Sequence, residues 1–273
     1  MLMSDIDFLI IGAAKSATTW LQRSLVQDPL VLMPAKDLEL HYFSREHHRG
    51  NDWYFSNLPE KQPGQILGER SNSYLATPGV ARLVSLELPQ VKLIVQLRNP
   101  VERAYSDYCM LFRRGEVGGD ISSYLDPRKA SEQRFLADGH YSSQLNAYCT
   151  LFPSDQLLVL LYEEMKIDPA GQLSRLRNYL GLAENIPTAI DINKAKDKTV
   201  PVVHPAIRKH LGWLKPIVAP LRQNHLFQKA RQLVATEITY PQLQPELRGR
   251  LVDFYAPEVK AMEDFLGKKL IGW

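Results

Sequence analysis

A short apolar segment that leads into a glycine turn and then a helical pattern constrains the fold of this chain more than any other feature. Residues 8–11 are rich in β-forming residues and show no polar alternation, which is typical of a parallel strand buried on both faces. Gly12 allows the backbone to turn closely after this strand, and a helical pattern covers residues 18–26. The sequence therefore predicts a strand, a loop and a helix, the first unit of an α/β fold.

The loop between this strand and helix carries the side chains of a candidate anion-binding site. Lys15 supplies a positive charge, while Ser16, Thr18 and Thr19 supply hydroxyl donors beside the unpaired N–H groups of a starting helix. Several donors that converge on one multi-oxygen anion suit a phosphate or sulfate ester better than a carboxylate. The alternative is a capped helix with no ligand. The candidate contacts are Gly12, Ala13, Lys15, Ser16, Ala17, Thr18, Thr19 and Trp20.

This loop differs from the phosphate-binding loop of nucleotide triphosphatases, G-x-x-x-x-G-K-[ST]. The chain lacks the second glycine of that pattern, and its lysine comes too early. Magnesium-dependent phosphoryl transfer is therefore disfavoured. A kinase-like nucleotide-binding protein and a non-catalytic protein of the same fold stay open as alternatives, although the second would have no need for the base and the cation described below.

A second strand and helix supply a candidate clamp for another anion. Residues 91–97 read as a buried strand, and Pro100 marks the start of the following helix. Arg98 then lies at the carboxyl end of the strand and Ser106 about two turns into the helix, so both can face the crevice in which parallel sheets bind ligands. The alternative for Arg98 is a surface ion pair with Glu102.

Taken in order, these segments resemble the sulfotransferases that use 3'-phosphoadenosine 5'-phosphosulfate (PAPS). The resemblance spans roughly the first 180 residues and, weakly, the last thirty, and it includes three more segments: residues 36–43, 68–75 and 139–141 leading to 157–160. It implies that the first loop holds the 5'-phosphosulfate and that Arg98 and Ser106 hold the 3'-phosphate. The family usually has glycine where this chain has Ala17, a residue that a positive φ would strain.

Residues 36–43 resemble the Lys-Glu-x-His-Phe-Phe segment of the heparan-sulfate-type and bacterial branch, with two extra residues between Lys36 and Glu39. The resemblance places Glu39 on the catalytic glutamate. In-line sulfonate transfer to a hydroxyl or amine needs a base, for which we take Glu39, and a cation beside the leaving phosphate, for which we take Lys15. An extended segment would put His41 on the same face as Glu39, so His41 is a second candidate base. A half-buried histidine with no role is the alternative.

Length and composition fit one α/β domain over residues 1–273, with a central parallel sheet flanked by helices. The chain has 273 residues and 45% hydrophobic content, enough for one substantial core. Further helices are predicted over residues 100–112 and 169–180, whereas residues 113–139 read as a loop that helps to choose the acceptor.

The net charge of +3 is unevenly distributed. Residues 191–235 hold nine basic and two acidic side chains, and the segment 191–245 is expected to cover or flank the site. It could attract an anionic acceptor or touch a membrane surface, for instance through an amphipathic helix over residues 205–214, or it is simply a solvated basic face. Nucleic-acid binding is disfavoured because aromatic residues are not interleaved with this charge.

Several other features are missing from the sequence. No metal-ligand spacing is present, the two cysteines have no framework spacing, and the first residues do not form a signal peptide. The apolar runs are far shorter than the ~20 residues that span a bilayer. We therefore predict a cytoplasmic bacterial enzyme without a metal. Its acceptor is a small molecule, a lipid or a carbohydrate; the sequence indicates neither which one nor the oligomeric state.

Overall fold

A five-stranded parallel sheet lies at the centre of the computed structural model, which describes residues 2–35, 37–183, 202–203, 235–236 and 238–273. The strands lie in the order β2-β3-β1-β4-β5, and every neighbouring pair is parallel. Their bounds are Phe8–Gly12 for β1, Val31–Leu32 for β2, Ile66–Arg70 for β3, Lys92–Leu97 for β4 and Leu157–Leu161 for β5. Val202–Val203 and Ala235–Thr236 form a separate antiparallel pair, β6 and β7. The predicted α/β class is confirmed.

Helices precede or follow most of these strands. They are α1 Thr18–Leu25, α2 Gly50–Ser56, α3 Val80–Glu87, α4 Pro100–Arg114, α5 Ser122–Leu125, α6 Pro127–Ala130, α7 Arg134–Ala137, α8 Tyr141–Cys149, α9 Tyr162–Ile167, α10 Pro169–Leu180 and α11 Pro245–Leu266, numbered over the described residues. Asn99 caps α4 by accepting from the N–H groups of Val101 and Glu102 at 2.9 and 3.2 Å. The predicted helices at 18–26, 100–112 and 169–180 are confirmed to within two residues.

The prediction of a loop over residues 113–139 was wrong, because this stretch contains α5, α6 and α7. Each has four residues, which is too short to show a helical period in the sequence. Three side chains of this stretch are buried: Leu125, Phe135 and Leu136. They pack in one apolar cluster with residues of α4 and α11. Tertiary burial therefore stabilises turns that local propensity does not mark.

Both faces of the sheet are covered, which explains the continuous apolar pattern of β1. Leu9 and Ile11 belong to the core on one face, while Phe8 and Ile10 belong to the core on the other. The indole of Trp20, from α1, packs in the second of these cores.

The strand order brings the ends of β1 and β4 together. After β1 the chain builds β2 and β3 on one side of it, and then crosses to build β4 and β5 on the other. Ligands of open α/β sheets bind at such a switch point, outside the carboxyl ends of the strands. The loop after β1 and the start of α4 therefore share one crevice.

A buried carboxylate, Glu69, lies near the end of β3. Its side chain is inaccessible to solvent and accepts hydrogen bonds from the hydroxyls of Tyr54, Tyr74 and Ser71. Burial raises the pKa of Glu69 from its ordinary value of 4.5 to about 7, although the three hydroxyl donors act in the opposite direction. Glu69 thus changes charge near neutral pH inside the core.

Ala17, in the loop before α1, has a left-handed backbone with φ 64° and ψ 26°. A Cβ in this conformation costs roughly 1–2 kcal/mol relative to the right-handed region. The sequence already singled out Ala17 as the residue that a positive φ would strain, and the structure shows that φ.

We expect Glu69→Gln to change the pH dependence of stability. A carboxyl group with a raised folded-state pKa contributes stability below its unfolded pKa, and this contribution is lost as pH rises through about 7. The unfolding free energy of the variant relative to the wild type should therefore increase from pH 5 to pH 8, by on the order of 1–3 kcal/mol. Urea unfolding across that range measures it, with exposed Glu132→Gln as the control. A pH-independent difference would contradict the assignment.

We expect Ala17→Gly to raise the free energy of unfolding by about 0.5–1 kcal/mol, because glycine adopts a positive φ without strain. Thermal unfolding monitored by circular dichroism measures this change. Ala261→Gly, inside α11, is the control and should lower stability by about 1 kcal/mol. A loss of stability in Ala17→Gly would show that the left-handed conformation is not strained.

Candidate active site

The loop after β1 begins at a glycine that no other residue could replace without a shift. A Cβ at Gly12 would lie 2.9 Å from the Leu75 Cβ and 3.3 Å from the Asn72 carbonyl oxygen, and φ is 154°. Leu75 and Asn72 belong to the turn after β3, whose Leu75 N–H donates to the carbonyl oxygen of Ile11 at 2.9 Å. Gly12 therefore lets two loops approach each other closely.

Gln96, a buried polar residue inside β4, holds the backbone of this loop by hydrogen bonds. Its Nε2 donates to the carbonyl oxygen of Ser16 at 2.6 Å, and its Oε1 accepts from Gln172 Nε2 at 3.0 Å. Its carbonyl oxygen accepts from the Ala13 N–H at 2.9 Å. The sequence analysis missed Gln96, although a glutamine inside an otherwise apolar strand was the available signal.

The side chains that are predicted to donate hydrogen bonds to an anion lie in different environments. Ser16 is inaccessible to solvent, and among the described residues its Oγ has no hydrogen-bond partner. Thr19 is half-buried, whereas Thr18 donates its hydroxyl proton to Asn72 Oδ1 at 2.6 Å. The Nζ of Lys15 lies 3.3 Å from the Met110 Sδ of α4.

Trp20 and Ala13 lie in the core rather than on the surface of the loop. The Trp20 side chain is buried, and the backbone N–H of Trp20 donates to the carbonyl oxygen of Ala17 at 2.8 Å. Its ligand contact stays a prediction. A buried, unpartnered hydroxyl such as Ser16 Oγ is costly unless a bound group satisfies it. Together with Lys15 and the first amides of α1, it fits a phosphate or sulfonate group.

Arg98 lies at the end of β4, as predicted. Its Nη1 donates to the carbonyl oxygen of Lys15 at 3.2 Å, and its guanidinium carbon lies 4.6 Å from the centre of the Tyr162 ring. The alternative ion pair with Glu102 is long, at 3.9 Å, and Glu102 contacts Arg248 at 2.6 Å. Ser106 is half-buried two turns into α4. Among the residues that the structure describes, Arg98 is therefore held beside the loop without a short carboxylate partner of its own.

Glu39 accepts hydrogen bonds from two residues at the end of β3. Its Oε1 accepts from the Nη1 of Arg70 and from Asn72 Nδ2 at 2.9 Å, while its Oε2 accepts from the Asn72 N–H at 3.2 Å. A carboxylate oxygen accepts about two hydrogen bonds, so Oε1 is filled and Oε2 has room for one more. The Glu39 side chain is 25% exposed, so an acceptor can reach it.

Arg70 is the residue of this site that the sequence analysis missed most clearly. Its side chain is only 2% exposed, and it also donates to Gln22 Oε1 at 2.7 Å and to the carbonyl oxygen of Asp37 at 2.8 Å. Residues 68–75 were noticed as a segment, but the sequence does not indicate which residue an arginine at the end of a strand pairs with. Only the fold brings Glu39 to it.

His41 lies beside Glu39, but not for the predicted reason. Its φ is 52°, so the segment is not extended and the two side chains do not share a strand face. The Nε2 of His41 is nevertheless 3.7 Å from Glu39 Oε2, and its Nδ1 is 2.7 Å from Ser73 Oγ. Burial lowers the pKa of His41, despite the nearby charge of Glu39. A neutral imidazole can take up a proton, so His41 stays a second candidate base.

Other predictions concern residues that the structure does not describe. Lys36 lies outside the described residues, as do positions 184–201, 204–234 and 237, which include most of the basic segment and its predicted amphipathic helix. Within residues 2–35, 37–183 and 238–273, no group of three or more His, Cys, Asp or Glu side chains is arranged to hold a metal. In the same ranges no helix combines the length and apolar character needed to cross a bilayer.

Comparison with known proteins extends the resemblance over most of the chain. Heparan sulfate glucosamine 3-O-sulfotransferase 3B1 of Mus musculus is 30% identical over 271 residues, which cover 97% of this chain and 64% of that protein. The human 3-O-sulfotransferase 3A1 is 31% identical over 255 residues, 91% of this chain and 58% of that protein. The chain thus spans less than two thirds of the length of these relatives.

The fold has a solved counterpart in a sulfotransferase from Alicyclobacillus acidocaldarius. That structure has a TM-score of 0.72 and 24% sequence identity, and the match covers 98% of each chain. The model of the sulfotransferase domain family matches residues 5–210 and so includes the loop, Glu39, Arg70 and Arg98. With most of its length matched by this model, the chain belongs to the sulfotransferase domain family.

Proposed function

We propose that this chain transfers a sulfonate group from PAPS to a hydroxyl or an amine of an acceptor. The observation that carries the proposal is the position of Glu39: Arg70 and Asn72 hold this carboxylate, and Asn72 also contacts the anion-binding loop. A base next to an anion site is what in-line transfer to a protonated nucleophile requires.

Lys15, Ser16 and Thr19 would hold the phosphosulfate end of PAPS, with the amides that begin α1. Ser16 Oγ is the strongest support, because it is buried and unpartnered among the described residues. Arg98 and Ser106 would hold the 3'-phosphate, since a guanidinium and a hydroxyl suit a phosphate group. PAPS supplies an electron-poor sulfonate group and a phosphate that can leave.

Glu39 would take the proton of the acceptor as the nucleophile attacks sulfur, through the unfilled position on Oε2. Lys15 would stabilise the negative charge that grows on the departing phosphate oxygen. His41 would either receive the proton from Glu39 or orient the acceptor. No metal ligand set enters this scheme.

A carbohydrate hydroxyl or amine is the acceptor class that we propose. The support comes from the relatives, which are named for heparan sulfate glucosamine. Acceptor pockets are built from loops that vary between relatives, so small-molecule and lipid acceptors belong in the test as well.

We expect Glu39→Gln and Lys15→Ala each to lower sulfonate transfer by about 10²-fold or more, because Glu39 takes up the proton of the acceptor and Lys15 stabilises the charge on the departing phosphate in the transition state. A labelled-sulfate assay from PAPS to a panel of sugar, lipid and small-molecule acceptors measures this. Glu60→Gln and Lys166→Ala, both exposed, are the matched controls. Near-normal turnover of Glu39→Gln would move the base to His41.

We expect adenosine 3',5'-bisphosphate (PAP) to raise the melting temperature of the protein more than ATP with Mg²⁺ does. Arg98→Ala should weaken the binding of PAP at least about tenfold, because it removes charge-assisted hydrogen bonds to phosphate. Calorimetric titration gives the dissociation constant, with exposed Arg82→Ala as the control. Stabilisation by ATP alone would overturn the sulfotransferase proposal, and unchanged affinity in Arg98→Ala would remove Arg98 from the clamp.

A further inference from the structure

Asn72 is the one side chain in the described part of the structure that has hydrogen bonds to both Glu39 and the anion-binding loop. Its Nδ2 donates to Glu39 Oε1 at 2.9 Å, and its Oδ1 accepts from Thr18 Oγ1 at 2.6 Å. Its backbone N–H adds a third hydrogen bond, to Glu39 Oε2 at 3.2 Å. A single residue therefore spans the distance between the proposed base and the proposed donor site.

The ionised carboxylate determines which way this amide faces. A carboxylate only accepts hydrogen bonds, so the nitrogen of the Asn72 amide must point at Glu39 and the oxygen at Thr18. An amide oxygen also only accepts, so Thr18 must be the donor in its bond to Asn72. The negative charge of Glu39 thus determines that the Thr18 hydroxyl donates its proton to Asn72.

This arrangement withholds the Thr18 proton from any anion in the loop. Ser16, Thr19 and Lys15 are then the side-chain donors for the phosphosulfate group. Thr18 contributes its backbone N–H at the start of α1, and its hydroxyl serves Asn72 instead.

The backbone of this region is held to the sheet on both sides of Asn72. The N–H groups of Ser71 and Leu75 donate to the carbonyl oxygens of Ile10 and Ile11 at 3.0 and 2.9 Å. The position of the Asn72 backbone therefore does not depend on the Asn72 side chain. Changing the side chain should leave the turn in place and alter only what the side chain holds.

We propose that Asn72 is a positioning residue, which holds the Glu39 carboxylate at a fixed offset from the loop and keeps Oε2 open toward the acceptor. This inference rests on the proposed function and deepens it. Asn72 does not contact the reacting atoms in this scheme; it acts through Glu39 and Thr18.

The proposal predicts that loss of the Asn72 side chain lowers kcat without weakening the binding of PAP. Asn72→Ala removes one hydrogen bond to Glu39 and leaves the carboxylate less well placed, so kcat should fall at least about tenfold. The same change frees the Thr18 hydroxyl to donate to an anion. The dissociation constant of PAP should therefore stay the same or decrease.

Asn72→Asp provides a second variant that keeps the size of the side chain and its contact with Thr18. A second carboxylate beside Glu39 disfavours the charged form of Glu39. The acid limb of the pH–rate profile should shift to higher pH, and kcat at neutral pH should fall further than in Asn72→Ala.

The experiment measures kcat, the KM of the acceptor, the pH–rate profile and the dissociation constant of PAP for both variants and for Asn57→Ala. Asn57 follows α2, and its Nδ2 donates to a backbone carbonyl, at Trp53, so its variant should behave as the wild type. A normal kcat in Asn72→Ala overturns this proposal alone. So does a parallel loss of kcat and PAP affinity, which is what structural damage produces. No transfer and no PAP binding by the wild type would overturn the proposed function, and this proposal with it.

Discussion

The ion pair between Arg70 and Glu39 is the interaction on which the rest of the site depends. Arg70 ends a central strand and its side chain is almost fully buried, so its charge requires an opposite charge nearby. Glu39 supplies this opposite charge. It lies in a segment that is neither helix nor strand. Breaking one side of a buried pair leaves the other charge uncompensated, so the Glu39 carboxylate and the local fold are coupled.

Around this pair, the sheet topology decides what lies close together. The switch between β1 and β4 brings Gly12 and Arg98 to one crevice, and the close approach at Gly12 joins the loop after β1 to the turn that carries Asn72. The buried hydroxyl of Ser16 lies in the same place. Among the described residues, the unpartnered hydroxyl of Ser16 and the strained backbone of Ala17 are therefore neighbours in this loop, and proteins commonly tolerate strain at functional sites.

The sequence was a good guide wherever one local signal was strong. The apolar pattern of β1, Pro100 at the start of α4 and the glycine of the first loop all identify their elements correctly. It failed for the four-residue helices of residues 113–139 and for the left-handed backbone of His41. The short helices depend on burial against α4 and α11, and His41 is hydrogen-bonded to the distant residues Ser71 and Ser73. A local period or propensity does not record such contacts.

By itself, the sequence determined the α/β class and the strand-loop-helix with its hydroxyls and lysine, because each of these is written in neighbouring residues. The choice of Glu39 came from the family resemblance and stays a prediction. Only the tertiary structure decided that Arg70 and Asn72 hold Glu39, that Gln96 supports the loop, and that Trp20 belongs to the core. The physical reason is separation along the chain. Gln96 and Ser16 are 80 residues apart, and Glu39 and Asn72 are 33 apart, so only the packing of the parallel sheet brings these partners within hydrogen-bonding distance.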